Sequence, residues 1–359
     1  MNTAIQGIHH ITFICANAQR TKDFYTQILG QRFVKRTINF DDPSAYHLYF
    51  GDRTARPETL VTFFEWPHAG PSLIGVGTTH HLAFLTESTE TQLKWKRWLT
   101  ESGVRVTGPF DRVYFTSIYF QDPDGVILEI ATRGPGWTLD ESADALGAEM
   151  KPPPPEVLIG NRDEDAIRAR VWPEPIDAIT PDMTLSQLHH ITAIGSDIER
   201  TTAFYTDLLG MRLVKRTLNM DNPQSPHYYY AAPDGHPGSI ITYFAYKVGD
   251  QRTPTTMPRG RLGVGITHHF ALAVANDDAQ AEWRDRLLSK GVQVTPILDR
   301  CYFKSIYFRD PDGHIVEIAT NGPGFCVDED EAHLGESLQL PPWMEHLRGQ
   351  IEAGLVLIQ

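Results

Sequence analysis

Cysteine is scarce: Cys15, Cys301 and Cys326 are the only three in 359 residues, and no two have C-x-x-C spacing. That argues against a disulfide scaffold and a cysteine zinc site, and it predicts a reducing, cytoplasmic setting. No run of about 18 apolar residues occurs, so no membrane-spanning helix is expected. The opening Met1-Asn2-Thr3-Ala4-Ile5-Gln6 has neither a basic start nor an apolar stretch, so no secretory signal is expected. Positive charge is also short. Lys+Arg total 32 against 45 Asp+Glu, a formal net charge of −13 with no long basic cluster. Nucleic acid and anionic membranes are therefore poor candidates as partners. The composition that remains, 41% hydrophobic and 21% charged, suits a globular chain with a sizeable core, as two domains or one large one.

What the chain does have is histidine pairs. Gly7-Ile8-His9-His10-Ile11-Thr12 returns as Gln187-Leu188-His189-His190-Ile191-Thr192, with shorter echoes at Thr79-His80-His81 and Thr267-His268-His269. Each pair heads an apolar run, the pattern of a strand start. Neighbours on a strand point to opposite faces, so one His of each pair is expected in a given site. His10 and Thr12 would share one face, and His9, Ile11 and Phe13 would take the other, against a helix.

The repeats organise the whole chain. His10, Tyr25, Gly30, Lys35 and Asn39 recur 180 positions later as His190, Tyr205, Gly210, Lys215 and Asn219. His81, Arg112, Tyr119 and Glu129 recur 188 positions later as His269, Arg300, Tyr307 and Glu317. Each half splits again into two runs of strand, helix and three strands. In the first, Asn17 is the expected helix cap and Gly30 its stop. In the second, a capping box from Thr89 to Gln92 opens a helix with Trp95, Trp98 and Leu99 as buried candidates, followed by a strand at Arg105-Val106-Thr107. The expected architecture is α+β, with four βαβββ modules. Residues 1–150 hold the first pair of modules, 151–183 a Pro-rich linker that opens Lys151-Pro152-Pro153-Pro154-Pro155, and 184–359 the second pair with a C-terminal tail.

The chemistry lies at the strand heads and in the last strands. Glu129 and Glu317 sit among apolar residues, in Ile127-Leu128-Glu129-Ile130 and Ile315-Val316-Glu317-Ile318. A carboxylate there needs a cation or a tight hydrogen-bond set. Two strand-head His and one such Glu make a two-His-one-carboxylate set, which leaves coordination positions open and suits non-haem Fe(II). One such His alone would more simply be a core residue, with the Glu paired to an Arg. The full set occurring twice at fixed spacing weighs against that. His47 and His227 read more simply as structural, Lys35-Arg36 and Lys215-Arg216 as a solvated strand edge or an anion site, and Asp122-Pro123-Asp124-Gly125 as turn chemistry.

These residues resemble the vicinal-oxygen-chelate superfamily of glyoxalases, bleomycin-resistance proteins and extradiol dioxygenases. Four stretches look most like hydroquinone ring-cleaving dioxygenases: His9-His10-Ile11-Thr12, Gly30-Gln31-Arg32-Phe33-Val34-Lys35-Arg36-Thr37, Tyr46-His47-Leu48-Tyr49-Phe50-Gly51 and Asp299-Arg300-Cys301-Tyr302-Phe303-Lys304-Ser305-Ile306-Tyr307. The resemblance implies two cupped mixed sheets, made by pairing module one with four and two with three. It implies iron ligands at His10, His269 and Glu317, with His9, Thr12, His268, Arg300 and Tyr307 around them. The implied cofactor is Fe(II), with Mn(II) or another divalent metal as the alternative. The implied partners are a small aromatic substrate and O2, and a homo-oligomer stays open. Here a second set also survives, His81, Glu129 and His190, with His80, Arg112, Tyr119 and Thr192 as its neighbours; catalysis is expected first at the set containing Glu317. Pairing modules within each half would use the same six ligands in another assortment, and the sequence does not choose. The rival readings are a glyoxalase-type isomerase or lyase, which would want a fourth ligand near Glu65, and a metal-free small-molecule-binding protein.

Overall fold

A computed structural model describes residues 4–185 and 187–359, so the start of the N-terminal stretch read above lies outside the described residues. The chain forms two compact units, one from residues 1–72 and 262–359 and the other from 73–261. The boundaries at 150 and 183 mark the sequence duplication, and the units cut across them: each takes one module from either half.

Unit one is a cupped eight-stranded mixed sheet. Its order is Leu298–Asp299, Lys304–Arg309, Ile315–Thr320, Thr267–Val274, Gly7–Cys15, Leu60–Glu65, Asp42–Gly51, Arg32–Asn39. The central seam pairs Gly7–Cys15 antiparallel with Thr267–Val274, so module one joins module four. Unit two repeats the plan as Arg212–Asn219, Asn222–Ala231, Ile240–Ala245, Leu188–Gly195, Thr79–Thr86, Ile127–Thr132, Thr116–Gln121, Thr107–Asp111. Its seam joins modules two and three. This is the pairing that the resemblance implied. Each seam strand also runs parallel to the last strand of its own module, as Gly7–Cys15 does to Leu60–Glu65 and Thr267–Val274 to Ile315–Thr320.

The seams carry a bulge at each His pair. In unit one Ile8 pairs with Leu272 and His10 with Ala271, so His9 is the extra residue; Thr12 pairs with His269 and Phe13 with Thr267, so His268 is another. In unit two the skipped residues are His80 and His189. A bulge sets two residues against one and turns neighbouring side chains towards the same side. Strict alternation therefore fails here: His9 does not lie across the sheet from His10 but against it, with ring centroids 5.1 Å apart.

The local signals mostly hold. Asn17 caps the helix Ala18–Asp23, accepting the Arg20 N–H at 2.8 Å. The helix widens into a π turn over Phe24–Ile28, which buries Tyr25, before Gly30 turns the chain at a φ of 66°. In module two the capping box sits one residue earlier than read: Ser88 is the cap and Thr91 its partner. Trp95 and Leu99 are buried and Trp98 only partly so. The strand expected at residues 105–107 begins only at Thr107.

The tail of each half straps over a strand of the other half, within one unit. Lys35 and Lys215, fully buried, each meet two acids of a tail: Asp328 and Glu329 at 2.5 Å each, and Asp140 at 2.6 Å with Glu141. The strap passes so close that a Cβ on Gly147 would stand 2.3 Å from the Leu213 carbonyl oxygen, and one on Gly335 2.5 Å from that of Phe33. Both glycines also have φ above 70°. Lys35 and Lys215 are thus clamps, not a solvated edge. The Pro-rich segment packs on unit two. Lys96 donates to the carbonyls of Ile167, Arg168 and Arg170, and Trp95 Nε1 to that of Met183. The segment also forms a short helix, Glu164–Ala169, capped by Asp163.

Candidate metal centres and active site

The tertiary structure gathers the six predicted ligands into two sets, His10 with His269 and Glu317, and His81 with Glu129 and His190. In unit one the three ligand atoms form a triangle. His10 Nε2 and His269 Nε2 lie 3.3 Å apart, and Glu317 Oε2 is 3.4 and 3.0 Å from them. In unit two the corresponding separations are 3.2, 3.5 and 2.9 Å. Donors bound to one ion at about 2.0–2.2 Å come to this spacing. All six residues are buried, and the two glutamates show no exposure at all.

Whether these residues fit a metal can be read from the carboxylates. Oε1 of each is satisfied, by the Ser305 hydroxyl for Glu317 and by Ser117 for Glu129. Oε2 of each is buried without a hydrogen-bond partner, although it faces two imidazole nitrogens. Such an orphan is costly unless something off the N–H axis binds it. Electrostatics say the same. Burial pushes Glu317 up, and only positive charge on the facing His10 and His269 rings brings it well below the usual carboxylate range. Yet burial lowers His269 itself, as it lowers His81 beside Glu129. A dry imidazolium cannot be relied on for the needed positive charge, whereas a divalent cation between the three atoms supplies it.

The bulged histidines complete the coordination logic. His9 Nδ1 meets His10 Nδ1 at 2.9 Å, and His268 meets His269 in the same way at 2.8 Å. His80 with His81 and His189 with His190 repeat this at 2.8 Å. Burial first, and then the neighbouring ligand His, lowers each bulged histidine to about 3. All four are neutral near pH 7 and can accept an Nδ1–H from the ligand, which fixes the tautomer that frees its Nε2 for a metal.

The other predicted residues also arrive at the sites. Thr12 Oγ1 is 3.0 Å from His269 Nε2, and Thr192 Oγ1 2.9 Å from His81 Nε2. The Tyr307 and Tyr119 rings stand edge-on to His269 and His81, both at 5.6 Å. The guanidiniums of Arg300 and Arg112 lie over those tyrosines at 5.3 and 5.1 Å. Burial raises both tyrosines above their ordinary range, so they keep their protons. Arg112 does not pair with Glu129: it binds Asp221 at 2.8 Å and donates from Nε to the Tyr119 hydroxyl at 3.2 Å. Arg300 pairs with Asp41 at 2.9 Å.

Several site residues escaped the sequence reading. Thr62 bonds Thr12 at 2.7 Å and His47 at 2.9 Å, and His47 Nδ1 is 2.9 Å from the Tyr49 hydroxyl. Thr242, His227 and Tyr229 repeat the chain in unit two. His47 and His227 line the cavities beside the sets, in addition to bonding their sheets. The signal was present: Tyr49 and Tyr229, Asp41 and Asp221, and Ser117 and Ser305 recur at the same two offsets. Arg162, from the segment between the halves, gave no signal; it reaches Asp221 at 2.6 Å and stacks over Phe110 at 4.2 Å.

Glu65, the candidate fourth ligand, instead accepts the Ala18 N–H at 2.8 Å at a helix start. The sets thus have three protein donors and open sides. No helix among the described residues is long and apolar enough to cross a membrane.

Known proteins share this plan. The chain is 31% identical to MhqO of Bacillus subtilis (strain 168), provisionally named a ring-cleaving dioxygenase, over 98% of this chain and 96% of that one. It is 26% identical to the chlorohydroquinone/hydroquinone 1,2-dioxygenase of Sphingobium indicum, over 97% and 95%. A solved Bacillus subtilis structure, provisionally named a dioxygenase, superposes with a TM-score of 0.78 at 31% identity over 99% and 98% of the two chains. Glyoxalase I from Zea mays shares the fold, with a TM-score of 0.57 at 17% identity over 88% and 92%. With its seam strands, paired modules and three-donor sets all in place, and with residues 7–130 and 187–318 matching the family's sequence model, the chain belongs to the Glyoxalase/Bleomycin resistance protein/Dioxygenase superfamily.

Proposed function

We propose that the chain is an Fe(II)-dependent ring-cleaving dioxygenase that inserts O2 into a hydroquinone-type aromatic, in the cytoplasm. The observation that carries this reading is the partnerless Oε2 of each buried glutamate, facing two Nε2 atoms whose rings are held from behind by neutral histidines. The names of the full-length relatives supply the reaction class.

His10, His269 and Glu317 would hold one metal, and His81, His190 and Glu129 the other. An Fe(II) held by one carboxylate and two imidazoles would supply open coordination positions for a substrate hydroxylate and O2. The surrounding residues do the rest. Arg300 and Arg112, fixed by Asp41 and Asp221, stabilise negative charge that develops on ring oxygens. The protonated Tyr307 and Tyr119 donate hydrogen bonds to the reacting oxygens and return protons. Thr12 and Thr192 orient groups beside the ligand nitrogens. His9, His268 and His80 hold ligand tautomers, and His80 also lines the cavity of its unit.

The glyoxalase-type reading is disfavoured by Glu65, which is occupied at a helix start, and by Ala245 at the equivalent position of module three. A metal-free binding protein has no use for two orphaned carboxylate oxygens. Metal analysis of anaerobically purified protein, then oxygen uptake with a panel of hydroquinones and catechols, tests the assignment. Iron-loaded protein that consumes no O2 with any of these diols would refute it.

A further inference from the structure

The two sets share their ligands but differ in the space beside them. A cavity of about 340 Å³ opens on His81 and His190, walled by Phe110, Phe115, Tyr119 and Phe244. Its counterpart at His10 and His269 measures about 20 Å³. A water needs roughly 10–15 Å³, and an apolar cavity on the order of 150 Å³ accepts benzene. As the chain stands, the unit-two cavity has room for a substituted single ring, and the unit-one cavity for about one water.

Named residues make the difference. Phe40 lines the small cavity, braced edge-on by Trp343 at 5.7 Å, where unit two has Met220. The outer strand Thr107–Asp111, which brings Phe110 to the large cavity, has five residues, against two in its counterpart Leu298–Asp299. Arg162 lines the large cavity as well and shares Asp221 with Arg112. The result is an apolar slot with metal ligands at one end and a rim that offers both hydrogen-bond donors and an acceptor.

We propose that the His81–Glu129–His190 set is a ring-binding active site in its own right, seating a single-ring aromatic diol between the ligands and the Arg112–Asp221–Arg162 rim. This rests on the reading that the sets hold a divalent metal. Glu317→Ala isolates unit two by removing the unit-one carboxylate. Loaded anaerobically with Fe(II), that variant should keep about one iron per chain. It should also bind 4-nitrocatechol, a diol whose visible band moves on binding a metal, within about threefold of the affinity of the wild-type unit-two site. Met220→Trp in the same background fills the cavity without touching a ligand. It should weaken probe binding by roughly tenfold or more at unchanged iron content. A Glu317→Ala protein that keeps one iron and binds no probe overturns the proposal, as does a Met220→Trp protein with undiminished affinity. Should Glu317→Ala fail to fold, Met220→Trp in the otherwise wild-type chain decides: probe binding must fall while iron stays constant. A wild-type chain that binds no divalent metal overturns this proposal and the metal reading together. Probe binding without O2-dependent ring opening overturns the ring-cleaving reading and leaves the ring seat standing.

Discussion

At the scale of residues, each His pair divides its labour. The second histidine turns Nε2 to the other two donors of its set, and the first, placed by a bulge, can accept from its Nδ1. His269→Ala should therefore abolish metal binding at its set. His268→Ala should leave the ligands in place but weaken the metal by about 10–100-fold. Iron content undiminished in His269→Ala, measured after desalting, would refute the division. Tyr119→Phe removes one hydroxyl and keeps the ring that packs on His81, beside the larger cavity. Iron should be retained and kcat should fall with little change in KM, as for a contact made mainly in the transition state. An unchanged kcat on every active substrate would return Tyr119 to a packing role. Which residues carry the site was largely legible here, because duplication wrote each ligand twice. The role of the bulged histidine was not. Period-two alternation sends it to the far face, and only pairing across a seam between distant modules shows where the extra residue falls.

Among the elements, the tail straps connect stability to pH. Burial pushes Glu329 up, but Lys35 holds it below its ordinary value; Lys215 and Tyr114 do the same for Asp140. A carboxylate with a depressed folded-state pKa adds stability that is complete above its unfolded value, about 4, and is lost as pH falls through the lower folded value. The straps should thus add their full stability, and no pH dependence, to thermal melts between pH 8 and 5, with a drop below about pH 4. Lys215→Met leaves Asp140 and Glu141 without their buried partner and should cost about 3 kcal/mol at pH 7, read by urea unfolding. A variant as stable as wild type at pH 7 would show that the clamp does not hold the strap. The helices were readable from caps and stops, with Asn17 and Gly30 bounding the first. The clamps were not, since Lys35-Arg36 on a strand looks like an edge until a tail 293 positions away reaches it.

On the scale of the whole molecule, each compact unit contains a complete set of donors. About two irons per chain are expected in wild type, and about one in both Glu129→Ala and Glu317→Ala. One iron in wild type, untouched by Glu129→Ala under saturating Fe(II), would show that the second set is not a site.

The sequence by itself determined the fold class, the fourfold βαβββ plan and the six donors, because hydrophobic period, caps and exact duplication are local properties of the chain. Only the tertiary structure decided which modules pair, and with that which three candidate donors are gathered into one set, since the same six could be assorted within the halves. It alone also showed the unequal cavities beside the two sets. Cavity volume is set by what packs from far along the chain, Trp343 behind Phe40 and Arg162 over Phe110, and no local pattern records such contacts.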